Sequence, residues 1–295
     1  MRKAVIDLGT NTFNLLIAEV ENEALNVIHS DKISVLLGMG GINHGFIAAD
    51  ALERAKDALY SFKTQCDVHG VKTIRAIGTS ALRASRNRNQ LVDYAKDVIG
   101  IEIQIIDGQQ EAEYIYRGVK WKHDFSEPAI VMDIGGGSTE FIFADTRGVK
   151  ELTSLDIGVS RIFQTLNKPE EFTEDNLKTI VQFLEDEKCT FFNKAHSEIL
   201  LGSSGSFETI YEMVYEKPFN ARGGAVEIPL DKAMLALEWI IASTLQERLN
   251  HDWIVKIRKR MLPIAALKII WVINHFNIKR IIISPFSLKE GVLNE

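Results

Sequence analysis

Apolar and polar positions alternate along this chain in two successive layouts of the same kind. Apolar, β-branched runs at about 3–8, 14–20, 25–29 and 32–37 predict strands joined by short turns, with antiparallel neighbours. At about 48–69, Ala51, Leu52, Ala55, Ala58, Leu59 and Phe62 recur at helical spacing. A buried strand is expected at 72–77, a short helix at 80–84 and a longer one at 88–99. Gly100 suits the left-handed end of that helix. A strand at 101–106 and a helix at 109–119 complete the first layout. The polar connection 123–128 closes on Pro128, and strands restart at 129–134, 139–145 and 149–154. Helices are expected at 159–166 and 173–195, with Thr173 as N-cap and Glu174 and Asp175 suited to the helix dipole. A strand at 198–201, helices at 206–216, 231–247 and 260–275, a strand at 278–283 and a helix at 288–293 follow. The fold class expected is α/β, with domains 1–124 and 125–295 and a cleft between them. Ligands favour such junctions.

The two halves share more than a layout. Val5-Ile6-Asp7-Leu8-Gly9-Thr10-Asn11-Thr12 and Val131-Met132-Asp133-Ile134-Gly135-Gly136-Gly137-Ser138-Thr139-Glu140 each run from an apolar strand through Asp into a Gly-rich turn. A second apolar run follows each. Such hairpin turns present successive backbone N–H groups as an anion-binding nest. An Asp at the strand end can hold a divalent cation, directly or through water. One such turn is an ordinary hairpin; a facing pair suits a polyphosphate with its metal ion.

Composition narrows the class. The chain has 295 residues, 46% hydrophobic and 25% charged, which is normal for a globular protein with a substantial core. A net charge of −6 argues against nonspecific nucleic-acid binding. The two cysteines, Cys66 and Cys189, are expected on helices as reduced, cytoplasmic thiols. No secretory signal is visible after Met1. The apolar stretch 261–273 is interrupted by Lys268 and too short to span a bilayer, so no membrane role is expected. The seven histidines have no metal-ligand spacing.

Three further stretches carry candidate chemistry. Gly78-Thr79-Ser80-Ala81-Leu82-Arg83 follows a strand and opens a helix that Thr79 or Ser80 can cap. Helix N-termini attract phosphate, and Arg83 adds a fork of donors suited to its oxygens. Arg86 and Arg88 read as solvated. Glu111, in the first turn of a helix that follows a strand, is a candidate general base. Gly202-Ser203-Ser204-Gly205-Ser206 is a third strand-to-helix turn, suited to a distal phosphate or a nucleoside. There is no P-loop and no nucleophile elbow.

These motifs occur in order with Ser284-Pro285-Phe286-Ser287-Leu288-Lys289-Glu290-Gly291, and over nearly its whole length the chain resembles the exopolyphosphatase/guanosine pentaphosphate phosphohydrolase family. That family belongs to the actin-like superfamily. The resemblance implies two ribonuclease-H-like domains, a Mg2+-dependent cleft and hydrolysis of terminal phosphoryl groups from inorganic polyphosphate or guanosine pentaphosphate. It implies Glu111 as the residue that activates water, and Asp7, Asp133 and Glu140 as metal and water positions. Asn11 and Thr12 match the first phosphate loop, Gly135, Gly136, Gly137 and Ser138 the second, and Arg83 an arginine that meets phosphate. Gly202, Ser203 and Ser204 fall at the third turn. Arg161 matches another recurring arginine, with a structural role open to it. Longer members carry extra C-terminal helical domains; this chain resembles the short form, for which short phosphate chains are the better match. A homodimer is compatible with the resemblance.

Three positions depart from the family pattern. Leu36 stands where many members have a basic residue, Lys259-Arg260-Met261 replaces a Glu-Arg-Ala segment, and Gln110 stands where a second glutamate is common. The first bears on a phosphate contact, the second on nucleotide recognition more than on phosphate hydrolysis, and the third alters the acid pair before Glu111. Two rival functions share the scaffold. A small-molecule kinase would need an adenosine pocket and a base aimed at an acceptor hydroxyl. A non-catalytic sensor of guanosine polyphosphates would not need Glu111, Asp133 and Glu140 together.

Overall fold

The computed structural model describes residues 1–21 and 24–294. The first sheet is built from β1 (Arg2–Leu8), β2 (Thr12–Glu21), β3 (Ala24–Ser34), β4 (Thr73–Gly78) and β5 (Ile103–Ile105). Its strand order is β3-β2-β1-β4-β5. The first three strands form an antiparallel meander, and β4 and β5 then add in parallel. Helix α1 (Ala49–Val68) and then helices α2 (Ser80–Ala84) and α3 (Asn89–Tyr94) supply the crossovers that parallel strands require, and α4 (Gly108–Lys120) leads from β5 to the second sheet.

The second sheet repeats the plan. It contains β6 (Ala129–Ile134), β7 (Thr139–Asp145), β8 (Gly148–Leu155), β9 (Ile199–Ser203), β10 (Val226–Ile228) and β11 (Arg280–Ile283), in the order β10-β11-β9-β6-β7-β8. Again a meander is followed by parallel additions, and β10 is an extra antiparallel edge. Its helices are α5 (Val159–Thr165), α6 (Glu174–Asp186), α7 (Phe191–Lys194), α8 (Gly205–Tyr215), α9 (Leu230–Ala242), α10 (Leu245–Asn250), α11 (Leu262–Phe276) and α12 (Leu288–Leu293).

Several expectations need correction. The two strands at 25–29 and 32–37 are one strand, β3, that ends at Ser34. His29 to Lys32 looks like a turn because it is polar, but β3 is an edge strand, and edges carry charge without cost to the core. The helix at 173–195 breaks after Asp186, and Phe191 and Phe192 turn into the core on a separate short helix. Cys189 therefore lies between helices; Cys66 is buried on α1. The helix at 231–247 breaks at Ser243, where Thr244 and Glu247 form a reciprocal capping box for α10. Strand β10 was not expected. The helix from 88 continues past α3 as a π-helical turn over Ala95–Ile99 and ends on Gly100, φ 76°.

Each sheet has an outer core of its own, and a third core lies between them. In this third core, Val5 and Leu16 of the first sheet, Val131 and Ile142 of the second, Ala112 and Ile115 of α4, and Leu288 and Val292 of α12 are all buried. The last helix thus returns to pack on α4 and β1. Two glycines allow this. A Cβ on Gly118 would lie 1.8 Å from Ser287 O, and one on Gly291 would lie 1.7 Å from Tyr114 O. Backbone meets backbone there, and no side chain fits. At the opposite side, Gln164 of α5 accepts from Gly40 N at 2.7 Å and donates to Gly38 O at 3.1 Å, so the halves also meet through polar contacts.

Because neither helix can retreat without opening the shared core, Gly118→Ala should destabilise the protein by ~1–3 kcal/mol. The measurement is the urea midpoint. An unchanged midpoint would mean that α4 and α12 separate freely.

Candidate active site

The two Gly-rich turns have the same internal geometry. Gly9 N donates to Thr12 O and Gly135 N donates to Ser138 O, each at 3.1 Å. In each hairpin the Asp faces a polar residue across the ladder: Asp7 opposite Asn14, Asp133 opposite Glu140. The turns touch. A Cβ on Gly136 would lie 2.9 Å from the Asn11 carboxamide, and one on Gly137 would lie 2.5 Å from Ser80 Oγ and 2.7 Å from Thr10 Oγ1. Ser160 Oγ donates to Asn11 Oδ1.

The carbonyls of the second turn are consumed from behind. Gly135 O accepts from Val159 N, Gly136 O from Ser160 N and Arg161 N, and Gly137 O from Gly158 N. Arg161 Nε also donates to Gly137 O at 3.1 Å, so this arginine braces the loop. The N-terminus of α5 thereby fixes the loop's carbonyls.

A cleft of about 410 Å³ opens where the turns meet. Asp7, Asn11, Thr12, Glu111, Asp133, Gly135, Gly136, Gly137, Ser138, Glu140 and Ser204 line it, as the sequence led us to expect. Three expected residues stand elsewhere. Arg83 is not in the lining; its Nη1 donates to Glu111 Oε2 at 2.8 Å and to Ile106 O at 3.1 Å. Its fork holds Glu111. Gly202 packs under Phe207, where a Cβ would lie 2.1 Å from the ring. Ser203 Oγ donates to Asp133 Oδ2 at 2.7 Å. Neither Thr79 nor Ser80 caps α2 through its side chain. Thr79 Oγ1 approaches Leu8 O, while Ser80 Oγ is buried in the lining with no partner among the described residues.

Three of the four carboxylates spend one oxygen on the fold and leave the other without a partner among the described residues. Asp7 Oδ2 accepts from Asn14, Asp133 Oδ2 from Ser203 and Ser287, and Glu111 Oε2 from Arg83. The fourth, Glu140, accepts from Ser154 Oγ at 2.7 Å. Burial is the main cause that raises all four pKa values. Asp7 rises from its ordinary 3.8 to about 6, with Lys289 and Asn14 opposing and Asp133 adding. Glu140 rises from 4.5 to about 7 against the Ser154 and Ser138 hydroxyls. Glu111 is lifted well above the usual range by burial and by Glu140, with Arg83 opposing.

A basic wall stands in the same cleft, and the sequence did not single it out. Lys32 of β3, Arg258 and Lys289 of α12 all line it. Burial pulls the Lys289 pKa down, but Glu290, Asp7, Glu208 and Asp133 carry it above its ordinary value. Arg258 Nη2 pairs with Glu208 at 3.1 Å and lies over the third turn, where a Cβ on Gly205 would be 1.6 Å away. Lys289 lay within a recognised motif, so a signal existed for it. Arg258 has no local pattern that would mark it.

A family model described as the Ppx/GppA phosphatase family matches residues 16–295. The chain belongs to that family. Among Ppx/GppA structures, an exopolyphosphatase from Cytophaga hutchinsonii superposes with a TM-score of 0.95 at 33% identity, covering 100% of this chain and 97% of that one. The Aquifex aeolicus family member superposes with a TM-score of 0.83 at 25% identity, covering 99% and 96%. These neighbours agree with an actin-like fold of two halves. A protein named guanosine-5'-triphosphate,3'-diphosphate pyrophosphatase from Vibrio cholerae is 26% identical over 99% of this chain. The chain spans only 58% of that relative's length. No described helix is long and apolar enough to cross a membrane.

The raised carboxylates have a consequence for stability. A carboxyl whose folded pKa exceeds its unfolded value binds extra protons when native, so its stabilisation is present in acid and lost as pH rises through the folded pKa. Without divalent cations, stability should therefore fall as pH rises from about 4 to about 7, the span covered by Asp7 and Glu140. Glu140→Gln should flatten that fall. Melting temperature against pH for both proteins checks it.

Proposed function

We propose that this chain hydrolyses terminal phosphoanhydride bonds of inorganic polyphosphate, with guanosine pentaphosphate as the alternative substrate. One observation carries the reading. Glu111 is a buried carboxylate with one oxygen held by Arg83 and the other without a partner among the described residues, in a cleft walled by two phosphate-type turns. A base lifted by burial is stronger than a solvated carboxylate at neutral pH.

The donor set fits Mg2+. Four hard carboxylates share the cleft, and their raised pKa values mark negative charge that the fold only partly offsets. Among the described residues no group of three His, Cys, Asp or Glu side chains is arranged to hold a metal ion alone. Mg2+ keeps several waters and takes substrate phosphates as ligands, so protein groups can hold it partly through water. Asp7, Asp133 and Glu140 would hold it. When bound, the ion would offset charge on the phosphate oxygens.

The chain's own groups supply the rest. Amides of the two turns bind the terminal phosphate, with their carbonyls already occupied by α5 in the second turn. Ser80 Oγ gains in that phosphate the acceptor it lacks among the described residues. Lys32 and Lys289 receive the following phosphates. Glu111 orients a water and accepts its proton, while Arg83 fixes the carboxylate. Positioning and charge carry most of the catalysis in phosphoryl transfer. Arg258 over Gly205 counts against the kinase reading, because it fills the space above the turn suited to a nucleoside.

The test is phosphate release with Mg2+ from polyphosphates of defined length and from guanosine pentaphosphate in parallel. Release from polyphosphate alone makes the chain an exopolyphosphatase; release from guanosine pentaphosphate makes it alarmone-converting; silence on both overturns the reading. Glu111→Gln should keep substrate binding and lose ~10²–10⁴-fold in turnover. Near-normal turnover would remove Glu111 from the mechanism.

A further inference from the structure

Lys268 sits in the middle of α11, whose stretch is otherwise apolar: Ile264, Ala265, Ala266, Ile269 and Val272 around it are all buried. None of its surface is exposed. Burying an ammonium is costly unless it is well bonded, and an apolar side chain of similar volume is often as stable or more so. A lysine kept there calls for a reason beyond packing.

Its bonds supply one. Nζ donates to Thr139 Oγ1 and, at 2.7 Å, to Ile157 O. Thr139 directly follows Ser138 and opens β7 at the exit of the second turn. Ile157 directly precedes Gly158, the first of the residues whose amides hold the turn's carbonyls. One buried amine therefore ties the exit of the loop to the anchor behind it. Burial pulls its pKa down from 10.5 to about 7, with Glu140 and Asp133 opposing. Lys268 is absent from the cleft lining, so it does not meet substrate.

We propose that Lys268 is a positioning residue for phosphoryl transfer, fixing the second phosphate loop from the core. The inference rests on the hydrolase reading for its kinetic consequence, but not for its structural one. A loop held at both ends keeps its amides aimed at the transferring phosphate, which matters more in the transition state than in the ground state.

The test compares wild type with Lys268→Met, which keeps chain length and removes donor and charge. With tripolyphosphate and Mg2+, kcat should fall ~10–100-fold, as is usual when a supporting partner of a site is lost. KM should change less than kcat, and melting temperature should stay or rise. Amides 135–140 should exchange hydrogen faster in the variant, without substrate or metal. A folded variant with wild-type kcat and wild-type exchange would overturn the inference. Should Lys268→Met fail to fold, Thr139→Val decides, since it removes only the Oγ1 acceptor; unchanged kcat there overturns the inference, and the same split supports it. If wild type is silent on every substrate, the hydrolase reading fails, and the exchange rates alone judge Lys268.

Discussion

Four carboxylates share one cleft, and the rest of the molecule is arranged around keeping them there. Like charges buried together repel and shed charge by taking up protons. The structure opposes this only in part. Arg83 holds Glu111, serine hydroxyls donate to Asp133 and Glu140, and Asn14 donates to Asp7. Each of these bonds lowers a pKa that burial raises, and in none of the four does it win. The folded chain therefore carries negative charge in the cleft that its own groups only partly offset.

That excess charge comes from an asymmetry between two copies of one device. Both hairpins close with the same Gly N–H to carbonyl bond and both present an Asp at the strand end. They differ across the ladder. The first hairpin sets Asn14 opposite Asp7, and the two are bonded at 2.9 Å. The second sets Glu140 opposite Asp133, so two acids face each other on neighbouring strands. Facing like charges are unfavourable in a sheet. The amide donates to the acid of the first turn, whereas the second turn carries two acids. Duplication supplies the walls, and this one difference gives the second turn an acid that the first lacks.

The hairpins and the crossover helices were legible because each rests on local signals: strand alternation, helical spacing and glycine at the turns. The elements misread are those where tertiary context overrides the local pattern. Polar His29 to Lys32 lies in a strand because that strand is an edge. Phe191 and Phe192 leave the helix because the core takes them. The site divides along the same line. Carboxylates within turn motifs could be found from their neighbours in sequence. Arg83 could not be assigned its partner, because an arginine after a strand reads equally as a phosphate ligand or as a holder of Glu111. Lys32 and Arg258 reach the cleft from a sheet edge and an irregular segment, positions that no periodicity marks.

The cleft's two faces divide the recognition problem. On the reading proposed above, the repeated turns and their carboxylates on the acidic face would address one terminal phosphate and its counter-ion. Lys32, Arg258 and Lys289, which line the cleft from three separate elements, would meet what lies beyond that phosphate. Two of these have no committed bond partner among the described residues, whereas Arg258 is already engaged by Glu208 and Thr209. A phosphate chain needs only charge along its path, which flexible lysines supply. A nucleoside needs a shaped surface, and at the third turn that surface is covered by an arginine that would first have to leave Glu208. On the proposed reading, hydrolysis and substrate choice would therefore be carried by different parts of the fold.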